Sequence, residues 1–203
     1  MEILYRNIKT LTMKKYRDLL NTIKDEKKNQ IIKIKNINSK KRSLLGELLF
    51  KELLSNKSLS YDKIDIYINN FGKPIIKNRK VFFNISHSHD YSVCAISNNN
   101  IGIDIEKIRK VNINVIYQFA TENEIIYITK NENEIYNKLF EIYTLKEAYF
   151  KCLGTNLNYI KEVEFLIKNN NVLCSDQNIS AKIYYNIYGY IISTCEIKSN
   201  KNF

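Results

Sequence analysis

The sequence lacks any apolar run long enough to cross a membrane. A transmembrane helix needs about 20 consecutive apolar residues, and polar or charged side chains interrupt every apolar stretch of this 203-residue chain before that length. The opening segment, MEILYRNIKT, also lacks the apolar centre of a secretory signal peptide. We therefore expect a cytoplasmic protein that has no membrane partner.

Cysteine is scarce and is not arranged for a disulfide framework or a zinc site. The four cysteines are scattered along the chain without CxxC spacing, and no secretory signal accompanies them. They are Cys94, Cys152, Cys174 and Cys195. We expect reduced, partly buried thiols.

Histidine is scarcer still, and both copies lie in one stretch, FFNISHSHDYSVCAIS, at His87 and His89. A zinc site would need more ligands than this HxH spacing provides, because no further histidine and no suitably placed cysteine is available. The question is therefore what two neighbouring imidazoles do at the end of a predicted strand.

The composition is that of a folded protein with an excess of positive charge. Hydrophobic residues make up 44% and aromatic residues 12% of the chain, well above the level of disordered segments. The length suits one large domain or two small halves. The net charge of +11 could serve an RNA, a nucleotide cofactor or an acidic protein, or reflect only a lysine-rich composition, since lysines are spread along the whole length.

Apolar periodicity predicts helices near the start of the chain and beyond residue 120. LTMKKYRDLLNTIKDEKKNQIIKI has helical spacing, and NSKKRSLLGELLFKELLSNK predicts a core-facing helix capped by Ser39. Thr121 and Glu124 form a capping box that opens a short helix. A longer helix is predicted from Glu132 to Leu153, ended by Gly154.

Strands are predicted around these helices. Glu2 to Ile8, DKIDIYIN, Val81 to Ser86, Tyr91 to Ser97 and IGIDIE read as strands, and more follow from Val163 onward. Each half of the chain thus offers helices followed by a strand meander. YSVCAIS and YGYIISTCEI also resemble each other, although this echo alone does not establish a repeat.

The segment IGIDIE places two carboxylates on one face of a strand. Alternate side chains share a face, so Asp104 and Glu106 point one way while Ile103 and Ile105 point the other. Such a pair suits a hard divalent cation that shares oxygen ligands with phosphate. A solvated acidic edge strand is the alternative.

The segment FEIYTLKEAYFKCLG brings a third carboxylate and a lysine together on a helix. Glu147 and Lys151 are i, i+4 neighbours, and Tyr143 lies one turn earlier on the same stripe. A surface ion pair would explain this spacing equally well. Leu139, Ile142, Tyr149 and Leu153 are predicted as the buried side of the helix.

Five segments occur in an order that resembles the 4'-phosphopantetheinyl transferase family, in its larger, two-halved (surfactin-synthetase-activating) type. They are KKRSLLGELL at 40–49, FGKP at 71–74, FNISHS at 83–88, GIDIE at 102–106 and YTLKEAYFKCLG at 143–154. The resemblance implies an α+β pseudo-dimer of two similar halves, 1–101 and 102–203, each with a mainly antiparallel sheet packed on helices. The ligand cleft would lie between the halves.

The resemblance also implies a reaction. The phosphopantetheine arm of coenzyme A would move to a serine of an apo carrier protein, with release of 3',5'-ADP and dependence on Mg²⁺ or Mn²⁺. Asp104, Glu106 and Glu147 match the metal-binding acids of the family. Glu147 is the candidate general base, and Lys151 and His87 are further catalytic candidates that would contact the phosphates.

Further residues match the coenzyme A pocket of the family position by position. The predicted set is Lys27, Arg42, Ser43, Gly72, Lys73, Pro74, Ser86, His87, Ser88, Lys146 and Lys151. A second basic residue that often binds the 3'-phosphate is replaced here by Gln30, and Tyr143 stands where many members carry Trp. His89 is interpreted as pocket wall or loop.

The expected partner is an acyl or peptidyl carrier protein that presents an acidic helix to a monomeric enzyme. The alternative is a basic module that binds RNA or single-stranded DNA without catalysis, suggested by the charge and the fifteen tyrosines. Stacking platforms place aromatics on one sheet face, whereas these tyrosines are scattered and no RNP-like or GXXG-like segment occurs. We therefore expect no nucleic-acid partner.

Overall fold

The computed structural model describes residues 1–77, 81–156, 160–169 and 171–199. The last four residues of the predicted second half, 200–203, lie outside this description.

Six α-helices occur in the described residues, and their ends follow local capping rules. They are α1 Met13–Leu20, α2 Asp25–Lys33, α3 Ile37–Asn56, α4 Ile116–Phe119, α5 Glu122–Thr129 and α6 Ile135–Leu153. The predicted capping box of Thr121 and Glu124 is present, and α6 ends at Gly154 with φ of 69°. None of these helices, within the described residues, combines the length and apolarity that a membrane crossing demands.

Three helix predictions need correction. Helix α3 begins after Asn36, whose side chain accepts a hydrogen bond from the Ser39 backbone N–H, so Asn36 and not Ser39 is the cap. The first predicted helical stretch is two helices, α1 and α2, separated by residues 21–24. On α6, Leu139 and Ile142 are buried as predicted, but Leu153 is exposed because it lies in the last turn.

Ten β-strands occur in the same residues. They are β1 Glu2–Asn7, β2 Ile66–Ile68, β3 Pro74–Ile76, β4 Phe82–Ser88, β5 Tyr91–Ser97, β6 Ile101–Lys107, β7 Phe165–Lys168, β8 Asn171–Cys174, β9 Ile179–Tyr184 and β10 Tyr190–Ile197. The strands predicted around the histidines and at IGIDIE are confirmed with small shifts at their ends.

The strands form two three-stranded antiparallel sheets of the same topology. Their orders are β1-β5-β4 and β6-β10-β9, and each half adds a separate hairpin, β2-β3 or β7-β8. Each half therefore runs as one strand, three helices, a hairpin and two strands. The echoing segments YSVCAIS and YGYIISTCEI supply β5 and β10, the central strand of each sheet. The predicted α+β fold with two similar halves is confirmed.

Strand alternation assigns the apolar residues to three cores. Cys94 and Ile96 of β5 join the core beneath α3, while Val93 and Ala95, on the opposite face, join a central core with Ile103 of β6. A third core lies beneath α6. The central core contains side chains of both sheets, so the two halves pack on each other through their sheets.

A single glycine lets β6 approach α6 at the place where the predicted carboxylates lie. A Cβ atom on Gly102 would lie 2.0 Å from the Ala148 carbonyl oxygen and 2.3 Å from the Cys152 backbone nitrogen. Only a residue without a side chain fits between these two backbones. The strand that carries Asp104 therefore contacts the helix that carries Glu147 directly.

Candidate active site

A cavity of about 380 Å³ lies between the two halves and collects most of the predicted site residues. Its wall from the first half comes from α2, α3, β3 and β4 and comprises Lys27, Ser43, Pro74, Asn84, Ile85, Ser86 and His87. Its wall from the second half comes from β6 and α6 and comprises Asp104, Glu106, Tyr143, Glu147 and Lys151.

Alternate polar side chains on β4 hold this strand to β6 along the cavity. Asn84 Oδ1 accepts a hydrogen bond from the Ile103 backbone N–H at 2.9 Å. Ser86 Oγ donates to Asp104 at 2.7 Å, and Ser88 Oγ donates to Glu106 at 2.9 Å. Alternate residues of a strand share a face, so Asp104 and Glu106 lie on one face of β6. For the same reason their hydroxyl partners, Ser86 and Ser88, lie on one face of β4.

Asp104 is the buried centre of the site. Its Oδ1 accepts hydrogen bonds from Ser86 Oγ and from Lys151 Nζ, the latter at 2.5 Å, and Lys151 Nζ also donates to Ser86 Oγ at 3.2 Å. Burial raises the pKa of Asp104 to about 6, although Lys151 and Ser86 oppose the shift. Its Oδ2 is buried and has no hydrogen-bond partner among the described residues. Such an atom is costly unless a ligand binds it.

Glu147 faces the same cavity from α6 and is oriented by an aromatic side chain. Tyr143 OH donates to Glu147 Oε1 at 3.0 Å, and the second oxygen lies 3.9 Å from Lys151 Nζ. Burial raises the pKa of the Tyr143 hydroxyl, so Tyr143 stays a neutral donor at physiological pH. The ring of Phe119 packs edge-on against Tyr143 with 5.3 Å between centroids.

Glu106 is half-buried at the edge of the cavity. One of its oxygens, Oε2, accepts from Ser88 Oγ and from Arg109 Nη1, the latter at 3.1 Å. Ser88 thus orients an acid, which is a different role from the coenzyme A contact predicted for it.

The two histidines differ in their surroundings. His87 lines the cavity, and its pKa is lowered chiefly by partial burial, with Arg42 and Lys151 acting in the same direction. It is therefore mostly neutral at pH 7 and can donate one hydrogen bond. His89 lies in the turn after β4 with φ of 47°, and its backbone carbonyl accepts from Arg42 Nη1 at 2.7 Å. The interpretation of His89 as a loop residue is consistent with this position.

Two lysines predicted to bind coenzyme A are buried and do not line this cavity, so coenzyme A binding by them stays a prediction. Lys146 Nζ pairs with Glu124 at 2.8 Å, and both side chains are completely buried. Lys73 Nζ donates to the carbonyls of Ile101 and Cys152 at 3.2 and 2.8 Å. A lysine amine has three donors; protein oxygens accept all three from Lys146 and two of the three from Lys73.

Other predicted residues lie beside the cavity without forming its wall. Among the described residues, Arg42, Gly72 and Ser88 do not line it. Arg42 instead donates to His89 and to Ser39 Oγ. Gly72 has φ of 84° and turns the chain between β2 and β3, and its contact with coenzyme A stays a prediction.

The three predicted metal ligands line one cavity, but they are not arranged as a complete metal-coordination site. Asp104, Glu106 and Glu147 all line it. Across the described ranges, however, no group of three or more His, Cys, Asp or Glu side chains is close enough to hold an ion. Metal binding by these acids therefore stays a prediction.

Sequence reasoning missed Asn84 and Phe119. The signal for Asn84 was available, because FNISHS alternates polar residues at 84, 86 and 88. Phe119 had no signal, since its contact with Tyr143 depends on how α4 packs against α6.

Comparisons with known proteins find the same kind of protein for both halves of the chain. The family model described as the 4'-phosphopantetheinyl transferase superfamily matches residues 100–195, and the model described as 4'-phosphopantetheinyl transferase, N-terminal, matches residues 10–99. The 4'-phosphopantetheinyl transferase gsp of Aneurinibacillus migulanus is 35% identical over 190 residues, which cover 90% of this chain and 79% of that protein.

Two further similarities cover less of the chain. The 4'-phosphopantetheinyl transferase Sfp of Bacillus subtilis (strain 168) is 31% identical over 121 residues, 58% of this chain and 54% of Sfp. The crystal structure of Thermotoga maritima holo-acyl-carrier-protein synthase (AcpS) aligns with 49% of this chain and 63% of that chain, at 21% identity and a TM-score of 0.43.

Proposed function

This chain belongs to the 4'-phosphopantetheinyl transferase family, and from that premise we propose that it transfers the 4'-phosphopantetheine group of coenzyme A to a serine of an apo carrier protein. One observation carries the proposal: Asp104, Glu106, Glu147 and Lys151 come from two separate elements and line one cavity between the halves. Acids and an ammonium in one cleft suit a diphosphate substrate, whose transfer depends on positioning and on charge neutralisation.

The proposed reaction forms one bond and breaks one. The serine oxygen of the carrier attacks the phosphorus nearer the pantetheine, the bond from that phosphorus to the bridging oxygen breaks, and 3',5'-ADP leaves with the bridging electron pair. Glu147 takes the serine proton, directly or through a water, because it lies in the cavity and Tyr143 holds its other oxygen. Lys151 stabilises the charge that develops on the bridging oxygen as it leaves with 3',5'-ADP.

The acids also fit a magnesium ion, although no three of the described acidic side chains form a ready-made cage. The fit rests on Asp104 Oδ2, a buried carboxylate oxygen that has no partner among the described residues. Mg²⁺ prefers one or two carboxylates together with substrate phosphates, so Asp104, Glu147 and Glu106 would hold it. A bound divalent ion would supply neutralisation of the diphosphate charge.

The remaining cavity residues support coenzyme A binding from the first half. Lys27 and Ser43 line the cavity from α2 and α3, and Pro74 lines it from β3. We keep Lys27, Ser43, Pro74, Ser86 and His87 as proposed coenzyme A contacts. Arg42 and Gly72 would act only from beside the pocket. The cytoplasmic location, the monomeric state and the acidic face of the carrier remain predictions.

The test is a transfer assay read by mass spectrometry. Purified protein, coenzyme A, MgCl₂ and a panel of apo acyl and peptidyl carrier proteins should give a carrier heavier by one phosphopantetheine group, and Asp104→Ala should abolish this gain without unfolding the protein. A folded wild-type enzyme that modifies no carrier would contradict the proposed function. Near wild-type activity of Asp104→Ala would contradict the role of Asp104 alone.

A further inference from the structure

A completely buried ion pair lies behind the cavity and outside the proposed chemistry. Lys146 of α6 and Glu124 of α5 are both 0% exposed, with 2.8 Å between Nζ and Oε2. A buried pair of this kind repays its desolvation only when all its hydrogen bonds are made. Even then, the cost of removing both charges from water offsets most of their attraction, so we seek the role of the pair in the arrangement that it specifies.

The hydrogen bonds of this pair join three parts of the second half. Lys146 Nζ also donates to the carbonyls of Ile160 and Val163, at 2.9 and 2.8 Å. Glu124 accepts from the backbone N–H of Phe165 and of Thr121, both at 2.8 Å. The pair thus fixes α6 against the start of α5 and against the segment 160–165.

Two side-chain contacts link the start of α5, which Glu124 anchors, to the cavity. Phe119, at the end of α4 and five residues before Glu124, is buried, and its ring packs on Tyr143 at 5.3 Å. Tyr143 OH holds Glu147 Oε1 at 3.0 Å. A shift of the start of α5 would move Phe119 and release Tyr143, and Glu147 would lose its orientation.

We infer that Lys146 is a positioning residue of the transferase, which acts through Glu124, Phe119 and Tyr143 to orient the carboxylate of Glu147. This inference rests on the proposed function. It assigns Lys146 a task that differs from direct binding of coenzyme A, since its Nζ is enclosed by protein oxygens.

The test compares neutral variants of the buried pair with neutral variants of a less buried ion pair at the start of the same helix. Lys146→Met alone leaves Glu124 charged and unpaired, which can unfold the protein, so the principal variant is Lys146→Met with Glu124→Gln. We expect kcat in the transfer assay to fall about tenfold or more, because small misplacements of a catalytic group are costly. KM for coenzyme A should stay within about twofold, since uniform substrate binding is not affected.

The matched control is Lys138→Met with Glu134→Gln, which removes the i, i+4 pair at the start of α6, where 3.1 Å separates Nζ from Oε2 and the Glu134 side chain is 53% exposed. It should retain wild-type kcat. A kcat of the buried-pair variant equal to that of the control would overturn the inference. So would a large rise in KM for coenzyme A with unchanged kcat, which would identify Lys146 as a ligand.

A double-mutant cycle with Tyr143→Phe tests the route. If Lys146 acts through Tyr143, adding Tyr143→Phe to the buried-pair variant should lower kcat much less than it does in the wild-type protein. Fully additive losses would overturn the route.

Crystal structures give a measurement independent of turnover, so the inference can be judged even if the proposed function fails. In the buried-pair variant we expect the Tyr143 to Glu147 contact, 3.0 Å in the wild-type protein, to be broken. An unchanged contact together with an unchanged Phe119 ring would contradict the inference.

Discussion

At the scale of single residues, the site depends on one buried acid whose charge is only partly compensated. Asp104 has a nearly buried side chain, 5% exposed, and its contact with Lys151 does not outweigh the loss of water. A protein keeps such a residue where its charge is needed for chemistry. The cost of that charge should be visible in the stability of the protein.

The pH dependence of unfolding measures this cost. The pKa of Asp104 rises from 3.8 to about 6 on folding, so between these values the native state binds more protons than the unfolded state, and stability falls as pH rises. The loss of stability caused by the raised pKa of Asp104 approaches about 3 kcal/mol above pH 6, at about 1.36 kcal/mol per pKa unit. We expect the free energy of unfolding of Asp104→Asn, measured in urea from pH 4 to 7 without divalent ions, to lack this fall with rising pH.

The control for this measurement is Asp18→Asn, which removes an exposed acid of α1. Its stability should follow the wild-type pH dependence. If Asp104→Asn and Asp18→Asn gave the same slope, the raised pKa of Asp104 would be wrong.

At the scale of elements, the site depends on how closely β6 approaches α6. The strand carries Asp104 and the helix carries Glu147 and Lys151, so the distance between the two backbones sets the distance between these groups. Gly102 permits this approach, and the atoms around its missing Cβ belong to backbone, which cannot yield as a flexible side chain does.

Gly102→Ala should therefore reduce both stability and turnover. The added Cβ would meet the Ala148 oxygen at 2.0 Å, so α6 must move away from β6, at a cost of about 1–3 kcal/mol for overpacking. We expect a lower Tm in thermal unfolding and a loss of most transfer activity. Gly189→Ala is the control, since no atom of the described residues lies within 4 Å of its Cβ position and its φ of 75° is the one source of strain found there.

Gly189→Ala should lower Tm slightly and leave turnover unchanged. A Gly102→Ala enzyme with the Tm of this control and full activity would show that the strand and helix can separate without consequence.

At the scale of the whole molecule, the halves are joined by a central apolar core and by polar contacts at its edge. Lys73, in the turn between β2 and β3, inserts its amine between the carbonyls of Ile101 in β6 and Cys152 in α6. Nearby, Asn69 Nδ2 donates to the Gly154 carbonyl at 2.8 Å. This hairpin therefore fastens the first half to β6 and to the end of α6.

Lys73→Met tests whether this lysine joins the halves or binds substrate. The substitution removes the lysine donor from two buried carbonyls, so we expect a loss of about 1–3 kcal/mol in urea unfolding, with KM for coenzyme A unchanged. Lys77→Met, an exposed lysine that follows the same hairpin, is the control and should change neither quantity. A raised KM with wild-type stability would restore Lys73 as a phosphate ligand.

Local patterns in the sequence predicted much of the fold and part of the site. The alternation in IGIDIE placed Asp104 and Glu106 on one face of β6, and the i, i+4 spacing placed Glu147 with Lys151 on α6, because side-chain direction within one element depends on its backbone period alone. The capping box at Thr121 and the helix end at Gly154 were predicted for the same local reason.

The tertiary structure decided which residues meet across elements. Lys146 and Lys151 are five residues apart on one helix, yet one is enclosed with Glu124 and the other reaches Asp104. The rotation of α6 against its neighbours decides between them, and that rotation follows from packing around Gly102 and beneath the helix. Sequence determined the chemistry that each element carries, whereas packing determined which groups share a cavity, because distances between elements depend on contacts remote in the chain.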